Sequence, residues 1–210
     1  FNIPIVLDTD DNVHHVRPFN PGYTGYHPGS DAQVWNSYAF SKIFDAVTVS
    51  TQNLKDFYSK YTPKIYVLPN CLDMKAWNAV SNREAGEKIR IGFIGSSAHT
   101  EGIHIIRKPI IDILTKYPNV QLVLTGAYIP LFAEASEEIK SRIEAVPWIK
   151  LEEWQKGLKG VGLDIGLAPL ADNYFNRGKS NLRWLEYSAA SIPTIASSVE
   201  PYLCIKNGED

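Results

Sequence analysis

The chain has 210 residues, 44% of them hydrophobic, which is enough apolar surface for one large core or two small ones. Its formal net charge of −2 supplies no basic field to attract nucleic acid, and no acidic tail is present. No apolar run approaches the roughly 20 residues needed to cross a bilayer, and Cys71 and Cys204 fit no metal spacing, so they read as thiols of a cytosolic protein.

Phe1 starts directly on a strand-like "FNIPIVLD" with neither a basic leader nor an initiator Met, so a fragment of a longer protein is expected. "IPIVLD" (3–8) is β-like. "SDAQVWNSYAFSKIF" (30–44) opens on Ser/Asp cap chemistry and carries Val34, Tyr38 and Phe44 near helical spacing. "DAVTVS" (45–50) is a strand, "TQNLKDFYSKY" (51–61) a short helix capped by Ser50 or Thr51, and "KIYVLPN" (64–70) a strand stopped by Pro69. "SNREAGEK" (81–88) has no periodicity and reads as a linker.

The rhythm then restarts. "IRIGFIGS" (89–96) is an apolar strand broken by glycines, and "EGIHIIRKPIIDILTKY" (101–117) is a helix that Pro109 should kink or whose true start it should mark. "VQLVLTG" (120–126) is a strand, "FAEASEEIKSRIEAV" (132–146) a helix and "LEEWQKGLK" (151–159) a short helix. "VGLDIGLAPL" (161–170), "SNLRWLEYSAAS" (180–191) and "PTIASS" (193–198) follow as strand, helix and strand. Strands that run apolar without alternation, each followed by a helix, argue for parallel sheets covered on both faces. The expected fold is α/β, with two Rossmann-like units in residues 1–80 and 89–210 around the 81–88 linker.

Four stretches could carry chemistry. In "NRGKSNLRWLEY" (176–187), Leu182, Leu185, Glu186 and Ala189 share one helical face, so Glu186 points inward. A buried carboxylate is costly and wants donors. Ahead of it, Gly178, Lys179 and the free N–H groups of the first helical turn read as an anion site suited to phosphate. An Arg183–Glu186 pair on a packed helix, with Lys179 in solvent, is the open alternative. "GFIGSSAHT" (92–100) places small residues between a strand and a helix, as a ligand-contacting loop or a plain tight turn, with His99 as a phosphate donor or an ordinary loop histidine. "LDTDDNVHH" (7–15) ends the first strand with Asp8, Asp10, Asp11, His14 and His15. Its spacing fits no EF-hand or zinc motif, so no metal is expected, and the loop faces a cleft or caps the strand. "PGYTGYHPG" (21–29) reads as a mobile surface loop whose rings could stack on sugars.

These pieces in this order resemble a GT-B fold glycosyltransferase of the large retaining group, glycosyl transferases group 1 (family 4-like). "VTVSTQNLKDFY" and "IYVLPNCLDMKAWN" resemble the end of that family's N-terminal domain, with its "S-T-x-x-L" helix and "P-N-g-i-D" strand end. "IRIGFIGSSAHTEGI" resembles the first strand and phosphate-side loop of its C-terminal domain. "LDIGLAPLADNYFNRGKSNLRWLEYSAASIPTIAS" resembles its donor-site signature, and "LDTDDN" the "D-x-D-D-n" strand end of one subgroup. The resemblance implies an N-terminal acceptor-side unit, present only in its last part, and a donor-binding unit in 89–210.

The resemblance also implies roles. Lys179, Ser180 and Asn181 would hold the donor diphosphate, Glu186 would accept from the ribose hydroxyls, and Gly95, Ser96 and Ser97 would cover the phosphates with His99 nearby. Lys179 and His99 are the implied catalytic groups. Asp10, Asp11 and His14 would line the acceptor side of an inter-domain cleft. The family's first glutamate would fall on Gly178; the subgroup with "F-N-x-x-K-S" is similar in lacking it. The implied activity is retaining, hexosyltransferase-like transfer from a nucleoside-diphosphate sugar to a carbohydrate or lipid-linked acceptor in cell-surface polysaccharide biosynthesis. No cofactor, nucleic acid or integral membrane segment is implied, and the expected location is cytoplasmic or peripheral to the membrane. A nucleotide-sugar binding module without turnover is the leading alternative. A Rossmann oxidoreductase, against which the incomplete glycine fingerprint speaks, and a sugar-nucleotide epimerase sharing the GT-B fold are the others.

Overall fold

The computed structural model describes residues 3–78, 86–206 and 208. The chain divides into two compact units: one comprises Phe1–Cys71, Asp172–Leu182 and Ser198–Ile205, the other Leu72–Ala171, Arg183–Ser197 and Lys206–Asp210. Both units are discontinuous in sequence, unlike the blocks 1–80 and 89–210 expected from the order of elements. Residues 81–85 of the expected linker lie outside the described residues.

The first unit holds β1 (Val6–Thr9), α1 (Tyr23–Tyr26), α2 (Asp31–Lys42), β2 (Ala46–Val49), α3 (Gln52–Tyr58) and β3 (Ile65–Val67). Its three strands are parallel in the order β1-β2-β3, with Leu7 opposite Val47 and Val47 opposite Ile65. Local chemistry sets the helix starts: Ser30 Oγ accepts from Gln33 N at 3.3 Å, and Thr51 Oγ1 from Leu54 N at 3.2 Å. The core is Phe40, Val47, Val49, Leu54, Tyr58 and Ile65, with the Phe40 and Tyr58 rings stacked 4.3 Å apart. Residues 21–29, read from sequence as a loop, contain the helical turn α1.

The second unit contains α4 (Met74–Asn78), β4 (Ile89–Phe93), α5 (Thr100–Lys116), β5 (Val120–Thr125), α6 (Glu137–Lys140), β6 (Ile143–Val146), α7 (Trp154–Val161) and β7 (Ile165–Ala168). The chain then forms α8 (Tyr174–Arg177) in the first unit, followed by α9 (Leu182–Ala189) and β8 (Thr194–Ala196). The five strands are parallel in the order β6-β5-β4-β7-β8. This is the doubly wound topology, whose switch point lies between β4 and β7. Both faces are covered. Leu122 and Leu124 of β5 pack with Phe93, Ile103, Leu114 and Tyr128, while Val123 between them packs with Trp77, Ile94, Leu158 and Tyr187.

Two expectations are corrected. Residues 132–146 are not one helix. Ser136 caps a single turn, α6, after which Ile143–Val146 pair with Leu122–Thr125 as the edge strand β6. Pro147 restricts Val146 to extended backbone, and the open edge of β5 supplies hydrogen bonds that a short exposed helix could not match. Pro109 does not mark the start of α5, which runs unbroken from Thr100.

The sheet is tied by an ion pair. Arg90 on β4 donates from Nη1 to Gln121 Oε1 at 2.9 Å and Glu144 Oε2 at 2.7 Å. Its Nη2 donates to Glu144 Oε1 at 2.9 Å and Val161 O at 3.1 Å, and its Nε to Gly162 O at 3.2 Å. One side chain thereby joins β4, β5, β6 and the end of α7. The last turn of α9 closes as a Schellman motif: Ile192 N bonds Tyr187 O at 2.8 Å and Ser191 N bonds Ser188 O at 2.9 Å. Ser191 holds the left-handed position at φ 58°, where glycine is the usual residue.

Candidate functional site

A cavity of about 230 Å³ opens in the second unit, lined by Gly95 and Ser96 after β4, Thr125 at the end of β5, Trp154 on α7, and Arg183 and Glu186 on α9. It sits outside the carboxyl ends of the strands, where doubly wound sheets take their ligands. A cavity of about 470 Å³ elsewhere in this unit is walled largely by isoleucines and prolines and offers few polar groups to orient a ligand.

Glu186 is buried, as its place on the Leu182–Leu185–Ala189 stripe predicts. Trp154 Nε1 donates to Glu186 Oε1 at 2.6 Å, and Arg183 Nη1 lies 3.0 Å from Oε2. That second approach is a charge contact without hydrogen-bond geometry: Arg183 Nη1 and Nε are both buried and make no hydrogen bond. The guanidinium sits among three aromatic rings, with Cζ 5.3 Å from the centres of Phe93 and Trp154 and 5.8 Å from that of Tyr187. Burial raises the Glu186 carboxyl above the usual carboxylate range, and the Arg183 charge and the Trp154 bond only partly offset it. Burial likewise pushes Tyr187 up to about 12. The site therefore combines a desolvated acid with a held cation that has donors to spare.

Gly95 is needed for space. A Cβ there would fall 2.7 Å from the Phe93 ring and 3.2 Å from Arg183 Nη2. Its N–H donates to Thr125 Oγ1 at 2.9 Å, and the Tyr128 hydroxyl donates to Ser96 O. Ser97 and His99 form a 3-10 turn leading into α5, with the His99 ring 5.3 Å from that of Phe93. Glu186, Gly95 and Ser96, all singled out by sequence, are thus brought together. Arg183 appears in the sequence reading only as a pairing partner; Trp154, Thr125 and Tyr128 were missed.

In the first unit, Lys179 is neither solvated nor unpaired. Its Nζ lies 3.3 Å from Asp11 Oδ1 and 4.6 Å from the Phe175 ring centre. Ser180 Oγ accepts from Asn70 Nδ2 at 2.8 Å, and Asn181 Nδ2 lies 3.4 Å from Cys204 Sγ. Gly178 has a packing reason: a Cβ would come 2.8 Å from Leu54 Cδ2, and its carbonyl accepts from Thr51 Oγ1 at 2.9 Å. Asp10 is exposed. His14 lies inside the aromatic cluster, stacked 5.1 Å from Tyr61, and bonds Ser37 Oγ at 2.9 Å. Burial, helped by Lys60 and His15, lowers it to about 4. Among the described residues no group of three acids, histidines or cysteines is placed to hold a metal ion.

No protein-family model matches the chain, and no curated protein matches it in sequence. Solved structures do. The chain is similar to crystallised TarM, with a TM-score of 0.69 and 12% identity over 99% of this chain and 39% of that one. It is similar to a mutant of S. aureus TarM in complex with fondaparinux, α-GlcNAc-glycerol and UDP, at 0.67 and 12% over 98% and 39%. It is also similar to the pneumococcal O-GlcNAc transferase GtfA in complex with UDP and GlcNAc, at 0.58 and 15% over 82% and 34%. The fold is GT-B-like. It consists of α/β Rossmann-like units with parallel sheets, as the sequence predicts. The chain spans 39% or less of the length of these structures. No helix among the described residues is long and apolar enough to cross a membrane.

Proposed function

We propose that the chain belongs to a glycosyltransferase that moves a sugar from a nucleoside diphosphate, UDP in the first instance, to a carbohydrate or lipid-linked acceptor. The observation that carries this is the Glu186–Arg183–Trp154 pocket at the strand ends: a buried acid beside a guanidinium whose Nε and Nη1 are buried and unbonded. Such a pair is costly when empty and is relieved by a ligand that brings both hydroxyl donors and acceptor oxygens. Ribose hydroxyls donating to Glu186 would restore its ionised form, and nucleotide oxygens would take the Arg183 donors. Two of the fold neighbours were crystallised in complex with UDP, which agrees with this reading.

The rest of the assignment follows the sequence motif. Gly95, Ser96 and Ser97 form the phosphate-side loop, with His99 as a donor beside it. Lys179, Ser180 and Asn181 carry the diphosphate side of the motif, where Lys179 would exchange the Asp11 carboxylate for phosphate and stabilise the leaving group without a metal. Membership of glycosyl transferases group 1, retention of configuration, hexosyl donors, a role in cell-surface polysaccharide synthesis and a cytoplasmic location belong to the same proposal.

A thermal-shift panel of nucleoside diphosphates and their sugars tests it. A ligand at 100 times its dissociation constant adds about 2.7 kcal/mol; UDP-type ligands should do so, and Lys179→Ala should remove most of the shift. Equal shifts in variant and parent would refute the phosphate assignment. The pairing of Lys179 with Asp11, and Gly178 where the family has an acid, favour one second reading: nucleotide-sugar binding without turnover. Donor binding with neither hydrolysis nor transfer would select it.

A further inference from the structure

The first unit has a cavity of its own, about 560 Å³, whose wall includes Tyr23, His15, Asp172, Tyr174 and Arg177. Nothing in the donor assignment uses it. Tyr174 is 69% exposed, yet it is held in place. The His15 ring lies 5.3 Å away at a tilt of 32°, and the Arg177 guanidinium carbon 5.8 Å from the ring centre. Asn173, capping α8, fixes the turn that presents it.

Beside Tyr174 stands a planar polar pair. Arg177 Nε and Nη2 donate to Asp172 Oδ1 and Oδ2 at 2.6 and 2.9 Å. The two charges cancel, and the fork holds the carboxylate in a fixed plane with lone pairs left to accept. His15 Nδ1 meets Asn12 Oδ1 at 3.1 Å, and no hydrogen bond among the described residues engages its Nε2. His15 is lowered by burial and by Lys60, so the imidazole adds no charge near neutral pH. An exposed, clamped phenol ring beside planar acceptors and donors, with the Asp172 and Arg177 charges paired and Arg17 as a further donor on the wall, suits a ligand that has one apolar face and many hydroxyls.

We propose that this cavity binds a neutral hexose unit, with the C–H face of the sugar on Tyr174 and its hydroxyls on the Asp172–Arg177 pair. Read with the proposed function, this is the acceptor site, and the acceptor is a neutral glycan; only the word acceptor rests on that function.

Saturation-transfer NMR on the whole chain decides it, with methyl α-glucoside and N,N′-diacetylchitobiose as probes. A signal concentrated on one sugar face is expected. It should survive Tyr174→Phe and weaken about tenfold, or about 1.4 kcal/mol, in Tyr174→Ala. Asp172→Asn should weaken it as well, with an unchanged melting temperature. No signal in the parent, or equal signals in parent and Tyr174→Ala, overturns the proposal. So does displacement of the sugar by inorganic phosphate, which would mark an anion site. UDP shifts should be the same in Tyr174→Ala and parent, so loss of UDP binding with sugar binding intact would sink the donor reading alone.

Discussion

Two of the arginine–glutamate pairs in the second unit are built for opposite ends. Arg90 and Glu144 meet through two hydrogen bonds, and the remaining Arg90 donors end on Gln121, Gly162 and Val161. Arg183 and Glu186 meet through a charge contact alone, and two Arg183 nitrogens stay buried and unbonded. The first pair is saturated and acts as a fastener of the sheet. The second keeps capacity in reserve beside a cavity. Equal residue types therefore say little by themselves; what separates structure from recognition is whether the buried donors are used up.

The sharpest way to break the comparison is Arg90→Ala. Removing one partner of a buried, fully bonded pair should cost about 3 kcal/mol in urea denaturation, discounted because the Glu144 side chain is 39% exposed. Next is Arg183→Met, which should abolish the UDP-induced thermal shift while costing only about 1 kcal/mol of stability, since Glu186 can take up a proton. A stability loss as large as that of Arg90→Ala would make the two pairs equivalent and end the distinction.

A pH series sharpens it further. Glu186 has a raised folded value, so its contribution is full at low pH and declines as pH rises through that value. His14 runs the other way: lowered from 6.5 to about 4, it contributes fully above 6.5 and loses that contribution as pH falls towards about 4. Stability should rise between pH 4 and 6.5 in the parent, and more steeply in Glu186→Gln. UDP affinity should increase with pH more in the parent than in Glu186→Gln, because hydroxyl donors favour the ionised acid. The smallest effect is expected from Ser191→Gly, which relieves the left-handed cap of the helix carrying both site residues. It should add about 0.5 kcal/mol with UDP affinity unchanged.

The fold was legible where the signal is periodic. Apolar runs marked the parallel strands, and the i, i+3, i+4 stripe placed Glu186 inward. It failed at 132–146 because "IEAV" suits an amphipathic helix as well as an edge strand, and only the open side of β5 decides between them. In the site, Arg183 was visible as a neighbour of Glu186, but its unbonded nitrogens depend on the cage of Phe93, Trp154 and Tyr187. Trp154 is 32 residues from Glu186, and Asp11 is 168 from Lys179; no local pattern announces such pairs.

The patchwork make-up of the first unit has a price during synthesis. Thr51 finds the carbonyl of Gly178 only when the ribosome has added 127 more residues. Until then the nascent chain carries a small sheet whose Leu54, Asn70 and Asp11 still await their downstream partners. Slow translation or a stop codon before Asp172 should therefore leave a chaperone substrate in place of a folded first unit.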